Sequence, residues 1–138
     1  MNLTYPLLLV EGNRTDRLLL QKALSKCGYA FDAMICASAE EALRYLETSP
    51  LPSMIIASVT LPDMESETFL HHLDLHPVWR SLPVVLWGRR HELQAHSGHR
   101  QVLTGLSLPV VEKGETLGEY ISGLSTLVNE CMPQRLSA

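Results

Sequence analysis

Four short, unbroken apolar runs punctuate this chain: Leu7–Val10, Met54–Ala57, Val84–Trp87 and, more briefly, Val110–Val111. Each is far below the roughly 18–20 residues that cross a bilayer. None shows the apolar–polar alternation of a strand with one wet face. They predict strands buried on both faces, as in a parallel sheet covered by helices. The stretch Ala30–Cys36 is more mixed and predicts a further strand nearer an edge.

Between these runs the apolar period becomes helical. Ala39, Ala42, Leu43 and Leu46 share one helix face, with Ser38 as N-cap and Glu41 three residues on, a capping-box pattern. Leu117, Tyr120, Ile121, Leu124, Leu127, Val128 and Cys131 repeat the i, i+3, i+4, i+7 stripe. Asn13 or Thr15 opens a helix through Lys26, with Gly28 near its end. Phe69, Leu70 and Leu73 belong to a helix that must stop near His76, because Pro77 follows. Residues 89–104 are polar, His-rich and only weakly amphipathic.

Strands and helices in alternation call for a doubly wound α/β architecture, a parallel five-stranded sheet with helices on both faces. The flavodoxin-like order 2-1-3-4-5 suits 138 residues and one core. Residues 1–131 read as one domain and 132–138 as a frayed tail or linker start. Hydrophobic residues at 46% and charged residues at 19% match ordinary globular proteins. The net charge of −4 argues against a chain-wide nucleic-acid footprint. Met1-Asn2-Leu3-Thr4 lacks a basic, then apolar, secretory leader, and no membrane role is expected. Three cysteines, Cys27, Cys36 and Cys131, have no metal or redox spacing, which fits small core residues in a reducing, cytoplasmic setting.

In this topology ligands bind beyond the carboxyl ends of the strands, beside the point where strand order reverses. Those loops carry Glu11-Gly12-Asn13, then Ser58 to Asp63 including Thr60, then Gly88, then Lys113-Gly114.

The segments LLLVEGNRTDRLLLQKAL, SAEEALRYL, PSMIIASVTLPDME, LPVVLWG and LPVVEKG, in that order and spacing, resemble the response-regulator receiver domain of bacterial two-component signalling. The resemblance runs from about Tyr5 to Cys131 and is weak only from Arg89 to Leu108. It implies an acidic pair after the first strand that binds Mg²⁺ and a phospho-accepting Asp ending the third strand. A hydroxyl residue ending the fourth strand and a Lys ending the fifth sense the phosphate. Here Glu11 fills the first acidic position and Gly12 stands at the second. Ser58 stands at the phospho-acceptor position, Gly88 at the hydroxyl position and Val110 at that of a switch aromatic. Lys113 is kept, followed by Gly114 in place of Pro.

Mg²⁺ wants hard anionic oxygens, and phosphoryl transfer relies on the charge neutralisation that the metal supplies. With Glu11 as the only carboxylate expected in the site, Mg²⁺ should bind weakly or not at all, and no other cofactor is implied. Serine is a weak nucleophile without a base. The leading expectation is a pseudo-receiver, a non-enzymatic protein-interaction module that works without phosphorylation. Its Lys113 should pair with Glu11 or hydrogen-bond Ser58.

The resemblance also implies a protein partner: a histidine kinase, an effector or another signalling domain. It further implies a homodimer face on the fourth helix, fifth strand and fifth helix, with Trp87, Arg89, Arg90 and Val110 as interface candidates and Trp79 as a further aromatic, although Trp87 reads first as a core or pocket-wall residue ending the fourth strand. Other readings carry less weight. Ser58 as a phosphorylated or nucleophilic serine competes with a plain polar strand end. Asp63, as a replacement acid, should point to solvent. A flavin or nucleotide site would need a richer glycine loop than residues 11–16. The imidazoles His71, His72, His76, His91, His96 and His99 read mainly as surface groups, and His91-Glu92 with His96 misses the HExxH spacing.

Overall fold

The structure, a computed structural model, describes residues 5–27, 31–94 and 110–131, with side chains described as far as residue 127. The elements are β1 (Tyr5–Val10), α1 (Arg14–Lys26), β2 (Phe31–Cys36), α2 (Ala39–Thr48), β3 (Met54–Ser58) and α3 (Ser66–Leu75). A 3-10 turn (Trp79–Ser81), β4 (Val84–Gly88), β5 (Val110–Glu112) and α5 (Leu117–Cys131) complete the set. Helix α4 follows β4, and its described part is 90–94. The tail at 132–138 and most of the His-rich segment lie outside the described residues.

All strand pairs are parallel, and the sheet order is β2-β1-β3-β4-β5. The apolar runs behave as strands wet on neither face. Leu8, Val10, Ile55, Ala57 and Leu86 pack toward α2 and α3, while Leu7, Leu9, Met54, Ile56 and Trp87 pack toward α1 and α5. Strand β2 is the edge that its mixed composition predicts, with Asp32 and Met34 exposed.

Helix boundaries follow local chemistry. Asn13 caps α1, its Oδ1 accepting from the Asp16 N–H at 3.0 Å. Ser38 caps α2 through the Glu41 N–H at 3.1 Å, and Glu41 reaches back to the Ala37 N–H at 3.0 Å. Helix α3 ends at Leu75, two residues before Pro77. No helix among the described residues is long and apolar enough to cross a membrane. Cys36 is buried and its thiol is pushed up to about 11, by burial first and then by the Glu41 charge. The Cys131 side chain lies outside the described residues.

Register places the site. Ser58 pairs with Trp87, Trp87 with Val111, and Val10 with both Ala57 and Cys36. The loops after β1, β3, β4 and β5 therefore open on one edge of the sheet.

Candidate functional site

That edge holds a buried ionic cluster. Lys113, the first residue after β5, has a side chain only 2% exposed. Its ammonium donates to Glu11 Oε1 at 2.5 Å, Ser58 Oγ at 3.2 Å and Asp16 Oδ2 at 3.3 Å. The two contacts anticipated as alternatives, Glu11 and Ser58, are made together.

Glu11 is fixed at both oxygens, Oε2 accepting from the Asn13 N–H at 3.0 Å. Arg17 steadies this turn from α1, donating to the carbonyls of Glu11 and Gly12 at 3.1 and 2.9 Å. Burial pushes the Glu11 carboxyl above its ordinary value, against the opposing pull of the Lys113 ammonium. Ser58 Oγ also accepts from the Thr60 N–H at 3.4 Å.

Asp16 corrects the expectation that Glu11 is the site's only carboxylate. It lies on the first turn of α1 and is 1% exposed. Arg89 grips it with two hydrogen bonds, Nη2 to Oδ1 at 2.9 Å and Nη1 to Oδ2 at 3.1 Å. The Tyr120 hydroxyl of α5 donates to Oδ1 at 2.5 Å. Burial raises the carboxyl, but Arg89, Tyr120 and Lys113 outweigh it and bring it down to about 2. Its partners are themselves shifted. Burial, then the Asp16 hydrogen bond, holds the Tyr120 phenol far above its ordinary value. The Asp16 hydrogen bond keeps Arg89 protonated.

Glu11 and Asp16 against Lys113 and Arg89 make two negative and two positive charges, a balanced set. The cluster ties β1, α1, β3, the β4–α4 junction, β5 and α5 at one point.

Several interface candidates change role. Arg89 is half-buried and committed to Asp16. Trp87 is the core wall expected at the end of its strand, 2% exposed and packed against Tyr120 with ring centroids 5.6 Å apart. Trp79 is buried in the α2–α3 layer and stacks on His76 at 3.8 Å. Arg90 remains exposed and lies 3.6 Å from Glu112, and Val110 is half-buried. Asp63 is exposed, as expected, and also caps α2, accepting from the Ala39 and Glu40 N–H groups at 3.0 and 2.8 Å.

Thr60 is exposed and bonded through its side chain to Glu92, which also accepts from the Arg89 N–H at 3.0 Å. Among the histidines, His71, His72 and His91 are exposed, and His76 Nδ1 accepts from the Val78 and Trp79 N–H groups. His96 and His99 lie outside the described residues.

Two glycines are closed over by neighbours. A Cβ at Gly12 would meet Pro62 Cδ at 2.7 Å. A Cβ at Gly88 would meet Val59 Cγ2 at 2.5 Å and Leu93 Cδ2 at 3.3 Å. The space for a hydroxyl side chain at 88 is thus filled by buried hydrocarbon. Gly88→Thr is expected to cost about 1–3 kcal/mol by overpacking, read as a lower urea midpoint. A midpoint equal to that of the parent protein would show that Val59 can move aside.

The Mg²⁺ implied by the resemblance does not fit this donor set. Such an ion keeps near-octahedral oxygen coordination, with carboxylates free to face it. Here both carboxylates already face fixed cations, and position 12 offers neither an acid nor room for one. Among the described residues, no group of three or more His, Cys, Asp or Glu side chains is placed to hold a metal.

The sequence matches no protein-family model and no curated protein. Solved structures do match. The Mn²⁺-bound form of response regulator Rcp1 has 20% identity and a TM-score of 0.74 over 94% of this chain and 97% of its own. The phosphorylated cyanobacterial phytochrome response regulator RcpA has 19% identity and a TM-score of 0.78 over 95% and 98%. A putative response regulator from Chloroflexus aurantiacus has 22% identity and a TM-score of 0.71 over 93% and 100%. The architecture assembled here, five parallel strands in the order 2-1-3-4-5 around a carboxyl-edge pocket, is therefore the fold of response-regulator receiver domains.

Proposed function

We propose that this chain is a receiver domain of a two-component system that works without phosphorylation, as a protein-interaction module. One observation carries the reading: the Lys113 ammonium is already bound to Glu11, Asp16 and Ser58 within a charge-balanced pocket. In such a pocket the two side-chain cations supply the neutralisation of the carboxylates that a metal would otherwise provide. Its chemistry is binding, not catalysis, and it needs no resident Mg²⁺. The partner is another signalling protein, a histidine kinase, an effector or a further receiver, met in the cytoplasm.

Phosphorylation of Ser58 by a serine kinase has little support. The residue is 2% exposed, and its oxygen accepts from Lys113 and the Thr60 N–H. The test is treatment with acetyl phosphate, and separately with beryllofluoride, each with Mg²⁺. Intact mass and amide NMR shifts around residues 11, 16, 58 and 113 should be unchanged. A stoichiometric adduct would overturn the reading.

A further inference from the structure

Five large hydrophobic side chains are exposed among the described residues: Leu18, Met34, Leu51, Leu75 and Val78. Leu18, 51% exposed, lies on the outer face of α1 between Arg14 and Lys22. The spacing i, i+4, i+8 aligns the three residues in one stripe, about 6 Å apart along the axis. Arg14 and Lys22 make no ion pair among the described residues, and Asp16, the helix's only acid, is buried on the opposite face. The outer face of α1 is thus a leucine flanked by cations, on a chain of net charge −4.

The complementary surface lies in the other helical layer. A cleft of about 430 Å³ opens between α2 and the end of α3, walled by Leu43, Leu75, Pro77 and Trp79, with Glu47 and His72 at its rim. Leu75 is 67% exposed. The indole wall is braced by its stack on His76. Glu47 is exposed and makes no ion pair among the described residues. Helix α2 exposes Glu40, Glu41 and Glu47 against the single cation Arg44.

We propose that this chain self-associates head to tail, α1 of one copy docking in the α2–α3 cleft of the next. Leu18 enters the apolar cleft, and the α1 cations meet Glu47. Because α1 and α2 cover opposite faces of the sheet, one molecule cannot satisfy its own cleft. Each copy keeps one donor helix and one acceptor cleft free, and such a heterologous contact builds rings or open chains. The contact does not involve the polar pocket, so it stands apart from the phosphorylation question.

Sedimentation velocity of the full chain tests it. At about 25 mM salt the mean sedimentation coefficient should rise with protein concentration, and about 500 mM salt should suppress the rise. Leu18→Glu and Leu75→Glu change exposed positions, and circular dichroism verifies their folding. Each should weaken association at least about tenfold. Mixed together, they should form a 1:1 complex that grows no further, since one keeps an intact cleft and the other an intact α1. Lys22→Glu combined with Glu47→Lys should associate more strongly than either single change. A parent protein that stays monomeric at every concentration would overturn the proposal. So would variants that associate like the parent, or a mixture that stays monomeric.

Discussion

Replacing Asp16 by alanine is expected to lower the unfolding free energy by about 3–5 kcal/mol, the range for removing one member of a buried ion pair. The loss is large because the carboxylate serves three donors at once. Lys113, with a side chain 2% exposed, cannot turn to water, and the Tyr120 hydroxyl loses its acceptor. Arg89, whose side chain is 30% exposed, can rehydrate and contributes less to the loss. Tyr120→Phe keeps the ring packing and removes one charge-assisted hydrogen bond, so it should cost less, about 1.5–3 kcal/mol.

The pH dependence has a definite sign. Asp16 is depressed from 3.8 to about 2, so its contribution is complete above pH 3.8 and is lost as pH falls toward 2. Urea midpoints between pH 2 and 4 should rise with pH in the parent protein and flatten in Asp16→Ala. An alanine variant within about 1 kcal/mol of the parent would show that the cluster is not a keystone.

Lys113→Met is expected to cost a similar amount at neutral pH and, in addition, to deepen the gain in stability on mild acidification that a raised Glu11 gives. Methionine replaces the aliphatic stem and removes the charge, leaving Glu11 buried without its ammonium. Asp16 still has Arg89 and Tyr120. Burial already raises the Glu11 carboxyl, and Lys113 is its leading counterweight, so the folded value climbs further in the variant. A carboxyl raised above its ordinary 4.5 stabilises the fold below that pH and loses the contribution as pH rises through the folded value. The variant should therefore be more stable at pH 5 than at pH 7.5. Adding Glu11→Gln removes the stranded charge and should recover much of the loss. Equal stability of Lys113→Met at both pH values would contradict this account.

The sheet was legible because its strands are unbroken apolar runs, and strands buried on both faces leave that mark on composition. Edge strand β2 was legible for the converse reason, since Asp32 and Met34 interrupt its pattern. The N-caps Asn13 and Ser38 could be read because capping is a contact over two or three residues. The pocket was only half legible. Glu11, Ser58 and Lys113 sit at strand ends, where topology directs attention.

Asp16 left a fainter signal. It continues the buried stripe of Leu20 and Ala23 at i, i+4, i+7, but an acid in a first helical turn also has an ordinary place beside the helix dipole. Its partner Arg89 lies 73 residues away, and no local period encodes such a pairing. The same holds for Pro62 over Gly12 and Val59 over Gly88, where each gap and its filler sit on different segments of the chain. Trp87 read correctly as a core wall ending its strand, whereas Trp79 misled because an aromatic beside a helix end suits an interface and a core wall equally.

The filled gaps bear on this chain's evolutionary prospects. A single codon change to aspartate at position 12 would drive a side chain into the Pro62 ring, and one to threonine at position 88 would drive it into Val59. An aspartate at position 58 would join two carboxylates whose counter-charges are already spoken for. Each step taken alone is penalised before any metal affinity can be selected. Larger side chains at these positions would require coordinated changes at 12 with 62 and at 88 with 59. In the language of fitness landscapes, Pro62 and Val59 stand as a barrier: small hydrocarbon groups that set metal chemistry at this edge more than one step away.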